Sequence, residues 1–306
     1  MQIGMWIDEG RPLPAVVADV EEAARLGFAR AWFGQRTGWD PLTLIAAIGD
    51  RAPGIELGTA VVVTWPRHPL TLAAQALTAQ ATVGGRLALG IGPSHQVLVE
   101  GVYGYQWERP GRHVQDYLEV LAPALRGEAV DVRAETVAAS GALNVPGATP
   151  PPLLLAAHGP RLLRLAGERA DGVITTWTGP RGLAEHVVPQ VQRGAQGRPT
   201  PQVVVGVIAT LTADPDAARA YVAENFGMAG ELPSYRRSLD RDGYRGPEDT
   251  VVAGDEAELE KALRRFADAG ATEFQLCPVG PPAERARTIS FFAELARQLP
   301  ADESRD

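Results

Sequence analysis

Three times along the chain, a helix-patterned stretch meets a glycine and passes into a short apolar strand. The stretches are EEAARLGFARAWFG from Glu21 to Gly34, LAGERADGVITTW from Leu165 to Trp177, and RRFADAGATEFQLCP from Arg264 to Pro278. Glycine takes left-handed backbone without steric cost, so it ends a helix cleanly and lets the chain turn back. Strands that are apolar on both faces and alternate with helices form a parallel sheet covered by helices. Candidate strands fall at Ile3–Ile7, Ala31–Phe33, Ile55–Val63, Leu87–Ile91, Leu153–Ala157, Gly172–Thr176, Val203–Leu211 and Glu273–Cys277. That is the number a closed (β/α)8 TIM barrel requires. An open doubly wound sheet would carry a glycine-rich phosphate loop after its first strand. Here the first strand runs into IDEGRPLP, which has none.

At 306 residues the chain suits one barrel domain with additions. Two segments exceed an ordinary strand–helix connection. Residues 128–152 alternate like a hairpin and end in a proline-rich run, and 226–255 are rich in glycine, proline and charge. We expect a single domain over 1–300 with these two insertions, and a polar tail at 301–306.

Composition narrows the function. The net charge of −8 speaks against a general nucleic-acid or anionic-membrane surface, since both need a basic patch. Cys277 is the only cysteine and the five histidines lack compact ligand spacing, so neither a disulfide nor a metal site is expected. Lys261 is the only lysine, which disfavours Schiff-base and P-loop chemistry. The start MQIGMWIDEG reads as a strand, not a signal peptide, and no run approaches a membrane span. A cytoplasmic location is the expectation.

The segment from Gly58 to Gly92 is the most informative about chemistry. Its two strands end at the C-terminal mouth of a barrel, where small residues let a flat ligand approach the backbone. The same residues also suit two plain strand–turn–helix connections with packing glycines. His95 follows the second of these strands, where barrel enzymes display catalytic groups, and is the candidate acid or base. Gly159-Pro160 opens a helix whose backbone N–H groups could receive an anion. Thr175 and Thr176 end the sixth strand, and Trp6, Trp65, Trp107 and Trp177 are candidates to line the mouth.

These segments carry a resemblance. Arg67-His68-Pro69, a helix and then Gly84-Gly85-Arg86-Leu87 through Gly92 resemble the signature of the bacterial luciferase-like superfamily. IGMWIDEG, LLLAAHGPRLLRLAGERADGVITTWTGP and GDEAELEKALRRFADAGATEFQLCP fit the same family in order. GIGPSHQVLVEGVYG and LPSYRRSLDRDG most resemble its actinobacterial branch of coenzyme F420-dependent oxidoreductases.

The resemblance implies a non-prolyl cis peptide at Ala60-Val61, in a bulge with Val62 that presses on the cofactor ring near Gly92. It implies a phosphate site at Ala157, His158, Gly159 and Pro160, with Arg161 beside it, and it places Gln35 and Trp39 near the ring. Sugar-phosphate dehydrogenases of the superfamily carry His where this chain has Gln35 and Glu where it has Pro93, so that chemistry is not expected. The implied reaction is hydride transfer between the deazaflavin and a small organic substrate, with reduction of an activated C=C or C=N bond favoured. An FMN-dependent monooxygenase is the alternative on the same scaffold. A non-redox barrel enzyme and a non-catalytic cofactor binder are the readings from other classes. Relatives of this kind commonly form homodimers, and no residue of this chain establishes one.

Overall fold

The computed structural model describes residues 1–36 and 38–299, so the tail at 301–306 lies outside the described residues. Eight strands run through it: β1 (Gln2–Trp6), β2 (Arg30–Phe33), β3 (Glu56–Thr59), β4 (Leu87–Gly92), β5 (Leu153–Ala156), β6 (Gly172–Thr176), β7 (Gln202–Leu211) and β8 (Glu273–Pro278). Each is parallel to its neighbours. β1 pairs with β2 through Met5 and Ala31 and with β8 through Gln2 and Glu273, which closes the ring. The architecture is a TIM barrel with helices outside.

The strand expected over Ile55–Val63 is broken. β3 stops at Thr59, and extended pairing resumes at Val62–Val63 beside Ile91 and Gly92 of β4. The Ala60-Val61 peptide between the two pieces is cis.

Two of the three helix–glycine units behave as their sequence predicts, with Gly27 and Gly270 left-handed at φ 88° and 95°. The third differs. Its helix, Pro160–Arg169, ends on extended Ala170, and Gly172 opens β6 instead. A Cβ there would stand 2.3 Å from the Gln202 carbonyl oxygen, so this glycine serves close strand packing.

Alternation along each strand sorts residues into two cores. Ile3, Met5, Phe33, Leu57, Leu89 and Leu155 join the layer between strands and helices. Such side chains contribute about 1.5–3 kcal/mol each on burial. Facing the axis, Trp32, Ala88, Leu154, Ile174 and Val204 form a middle layer, with Trp6, Ala60 and Val61 packed against it. The N-terminal end of the axis is polar: Arg30 is buried and pairs with Glu56 and with Glu273 at 2.6 Å, while Trp32 donates to Glu273 at 2.6 Å. The barrel is therefore plugged at that end, and its free space lies at the C-terminal mouth.

The insertions are ordered elements. Val130–Arg133 and Ala138–Gly141 form an antiparallel hairpin. The second insertion supplies the helix Pro233–Asp242 and a strand, Val252–Gly254, that runs parallel to the end of β7.

Candidate active site at the barrel mouth

A cavity of about 730 Å³ opens where the strands end. One wall is the bulge. Thr59 Oγ1 donates to the Gly90 carbonyl at 2.8 Å and accepts from Gly90 N at 2.9 Å, so β3 and β4 are tied together just below Ala60. Gly90 is obligatory here because a Cβ would lie 2.0 Å from the Thr59 carbonyl oxygen. At Gly92 a Cβ would come within 2.9 Å of Val61 Cγ2 and of Ala156 Cβ. Ala60, Val61 and Ala156 line the cavity, whereas Val62 and Ala157 are buried in the helix-facing core.

Gln35 does not line this cavity; it braces the bulge from behind. Its Oε1 accepts from Val63 N at 2.9 Å and from Arg67 at 2.7 Å, and Arg67 also pairs with Asp40. Behind Thr64, the His113 ring stacks on Trp65 at 4.0 Å and meets Thr64 Oγ1 at 3.0 Å. Trp65 thus belongs to a cluster with Tyr105, Trp107 and His113, outside the cavity. Trp39 is also outside it, 44% exposed and donating to the Arg11 carbonyl at 3.1 Å. Trp6 and Trp177 are lining residues.

A second part of the lining is polar and centres on His158. Its Nδ1 meets Ser238 Oγ at 3.0 Å and Thr175 Oγ1 at 3.4 Å, and Thr175 also meets Thr178 Oγ1 at 2.9 Å. His186 Nε2 lies 3.0 Å from the His158 carbonyl oxygen, which can only accept, so that nitrogen carries the proton. Burial, reinforced by the nearby His95, Arg241, His186 and Arg237, pushes the His158 pKa down to about 3. His158 is therefore a neutral imidazole held by two hydroxyls. Gly159 starts the following helix, as its sequence predicts, but Arg161 turns away and donates to Gln115 at 3.1 Å.

Tyr235, from the second insertion, fills the space between the histidines. Its ring centroid is 4.6 Å from His95, 5.0 Å from His158 and 6.4 Å from Trp177. Burial pushes its phenol up to about 12, so it stays an O–H donor. The tyrosine lines the cavity, and His95 does not. The helix carrying Tyr235 is fastened at its end by Asp242, which accepts from Gly179 N and Gly182 N at 2.8 Å each. Both positions are glycine because a Cβ would reach 2.6 Å and 2.4 Å from the Asp242 oxygens.

Sequence reasoning placed Trp6, Ala60, Val61, His158, Thr175, Thr176 and Trp177 on one cavity, and the structure brings them together. It missed Tyr235 and Ser238, because no local spacing ties them to the strand ends, and it missed Gln275, which points inward from β8, a strand the sequence had shown. Burial pushes the Cys277 thiol, also at the cavity, up to about 12. Among the described residues no group of three or more His, Cys, Asp or Glu side chains could hold a metal ion, and no helix is long and apolar enough to cross a membrane.

Comparison with known proteins fits this geometry. A 5,10-methylenetetrahydromethanopterin reductase of Methanolobus tindarius is 28% identical over 235 residues, spanning 75% of this chain and 71% of that protein. A putative coenzyme F420-dependent oxidoreductase of Mycobacterium tuberculosis is 29% identical over 196 residues, 59% of this chain and 56% of its own length. The solved structure of an F420-dependent secondary alcohol dehydrogenase with an F420-acetone adduct superposes with a TM-score of 0.82 at 17% identity, covering 96% of this chain and 97% of that one. The family described as luciferase-like monooxygenase matches residues 1–298. The chain belongs to that luciferase-like family and is an oxidoreductase.

Proposed function

We propose that the chain is an F420-dependent oxidoreductase that moves hydride between the deazaflavin C5 and a small organic substrate, acting as a reductase of an activated C=C or C=N bond. The observation that carries this reading is one cavity with two kinds of lining. An apolar part at Ala60, Val61 and Ala156 adjoins a hydrogen-bonding part at His158, Thr175 and Thr178.

The residues fit a flat tricyclic ring with a polar side chain. A volume of about 730 Å³ lies inside the usual range for cofactor pockets. The glycines at 90 and 92 leave the shelf flush with the strands, and the His158 side offers hydroxyls and a helix start for a phosphate. When bound, the deazaflavin supplies the redox chemistry.

The protein's own contribution is placement and exclusion of water. Ala60 and Val61 would bear on one face of the ring, Thr175 and His158 would hold the side-chain end, and Trp6 and Trp177 would close the mouth around the substrate. Protonation is assigned to His95, which stands behind Tyr235 at a ring-centroid distance of 4.6 Å, or to water. Family membership sets aside the non-redox barrel reading. An FMN-dependent monooxygenase stays as the second reading, favoured by the family's own description.

The test is turnover. Purified protein supplied with reduced F420 should oxidise it in the presence of activated alkenes or imines and not with oxygen alone. Oxygen consumption with reduced FMN, and no reaction with F420, would favour the monooxygenase.

A further inference from the structure

We infer that Gln275 is the substrate-recognition residue of the cavity, donating from its side-chain amide to the carbonyl oxygen of a carbonyl-conjugated alkene. This rests on the reductase reading above and deepens it by naming the group that activates the double bond.

Gln275 points inward from β8, two residues above Glu273, whose carboxylate plugs the barrel with Arg30. It is 3% exposed and lines the cavity, yet among the described residues its amide has no hydrogen-bond partner. The reason lies in the register. Its neighbours on the adjoining strands are Gly4 of β1 and Gly206 of β7, and neither has a side chain to engage it. Beyond Gly206 comes Thr176 of β6, whose hydroxyl donates to the Gly206 carbonyl at 3.5 Å. A Cβ at Gly206 would stand 3.2 Å from Gln275 Oε1 and 3.4 Å from Thr176 Oγ1, so the glycine leaves space beside the amide. Buried polar side chains are nearly always paired, and one that meets a cavity unpaired is set up for a ligand.

The order of the strands says which ligand. In the ring of eight, β7 and β8 stand four strands away from β3 and β4, on the far side of the axis. A flat cofactor resting on Ala60 and Val61 therefore turns its free face toward β7 and β8, and the substrate takes the space between. The strand residues lining that side are Gly206, Val207, Ile208, Gln275, Cys277 and Pro278. A thiol is a weak donor, and burial keeps that of Cys277 protonated. Gln275 is thus the strong donor among them, and it is neutral.

Hydride addition to an enone needs such a group. Hydride from the reduced deazaflavin forms the C–H bond at the β-carbon, the alkene electron pair moves toward the carbonyl, and the carbonyl oxygen becomes an enolate oxygen. The Gln275 N–H holds that charge, and a proton from His95 or water completes the α-carbon. The substrate gains two electrons and the cofactor loses two. A fixed donor aimed at an oxygen whose charge grows during reaction acts mainly on the transition state.

The experiment is steady-state turnover by the full-length protein with reduced F420. The carbonyl probe is 2-cyclohexen-1-one, and 2-methyl-1-pyrroline is an imine probe with no carbonyl. Gln275→Met removes the amide at similar volume and should lower kcat for the enone by about a hundredfold. Imine turnover and the Kd for F420, read by fluorescence, should stay within about twofold, which also reports an intact site. Gln275→Glu keeps the shape and donates only while its carboxyl is protonated. Its enone turnover should be highest at acid pH and fall as pH rises, a loss the wild type does not share. Unchanged enone turnover in Gln275→Met, equal loss with both probes, or a wild type that reduces the imine and not the enone would overturn the Gln275 assignment alone. A wild type that binds no F420, or that binds it and reduces neither probe, would overturn the reductase reading and this proposal together.

Discussion

Tyr235 stands edge-on against His95, their ring centroids 4.6 Å apart, and of the two only the tyrosine lines the cavity. The acid–base candidate of the barrel is thus screened by a residue from an insertion 140 positions later in the chain. Burial holds the His95 pKa below the ordinary imidazole value. Tyr235→Ala should let water in and move that pKa upward toward about 6.5. An NMR titration of the His95 ring checks this. An unshifted titration would mean that other groups bury it.

His113 gives a pH dependence to stability. Burial pushes its pKa down to about 4, with Asp116 opposing. An unfolded histidine titrates near about 6.5. Between those values the unfolded chain binds more protons than the folded one, so stability falls as pH drops through that window and is fully present above it. Urea midpoints measured from pH 7 to pH 4 should decline, and His113→Gln should make the decline shallower. His158 titrates in the same sense, so some slope will remain. Parallel slopes for wild type and variant would refute the assignment.

Gln35 should act through the bulge. Gln35→Leu leaves the Val63 N–H without its acceptor and removes one of the two side-chain partners of the Arg67 guanidinium. The expected cost is about 1–3 kcal/mol of stability, read by chemical denaturation. Cofactor affinity should also weaken, because the braced segment carries Val61. A stable variant with unchanged affinity would show that the brace is dispensable.

The two glycines of β4 should separate folding from binding. Gly90→Ala drives a Cβ into the Thr59 carbonyl, and overpacking of this kind costs typically about 1–3 kcal/mol or more. Gly92→Ala meets side chains instead, and Val61 must give way. Thermal midpoints should fall most for Gly90→Ala. Gly92→Ala should lose cofactor affinity out of proportion to its loss of stability.

Much of this fold was legible because its signals are local. Helix period, glycine stops and apolar strands repeat along the chain, and each reports on a few neighbouring residues. The barrel mouth was legible only in part. Ala60, Val61, His158 and Thr175 follow strand ends, so their place comes with the topology. Tyr235 and Ser238 reach the site through the docking of a distant helix by Asp242, which no spacing encodes. Trp65 and Trp39 follow strands as Trp177 does, yet one stacks on His113 and the other faces solvent. A lone aromatic after a strand does not say which side it will take. Gln35 lies close to the bulge, but its amide is spent on Val63 and Arg67, a detail set by side-chain geometry.

The central claim is that the shelf at Ala60 and Val61 and the wall at His158 bind a deazaflavin. A binding titration of the purified protein with F420 and, in parallel, with FMN tests it most directly. The account predicts saturable F420 binding at micromolar or lower concentration, with no FMN retained through purification. A yellow protein that keeps FMN and ignores F420 would contradict it.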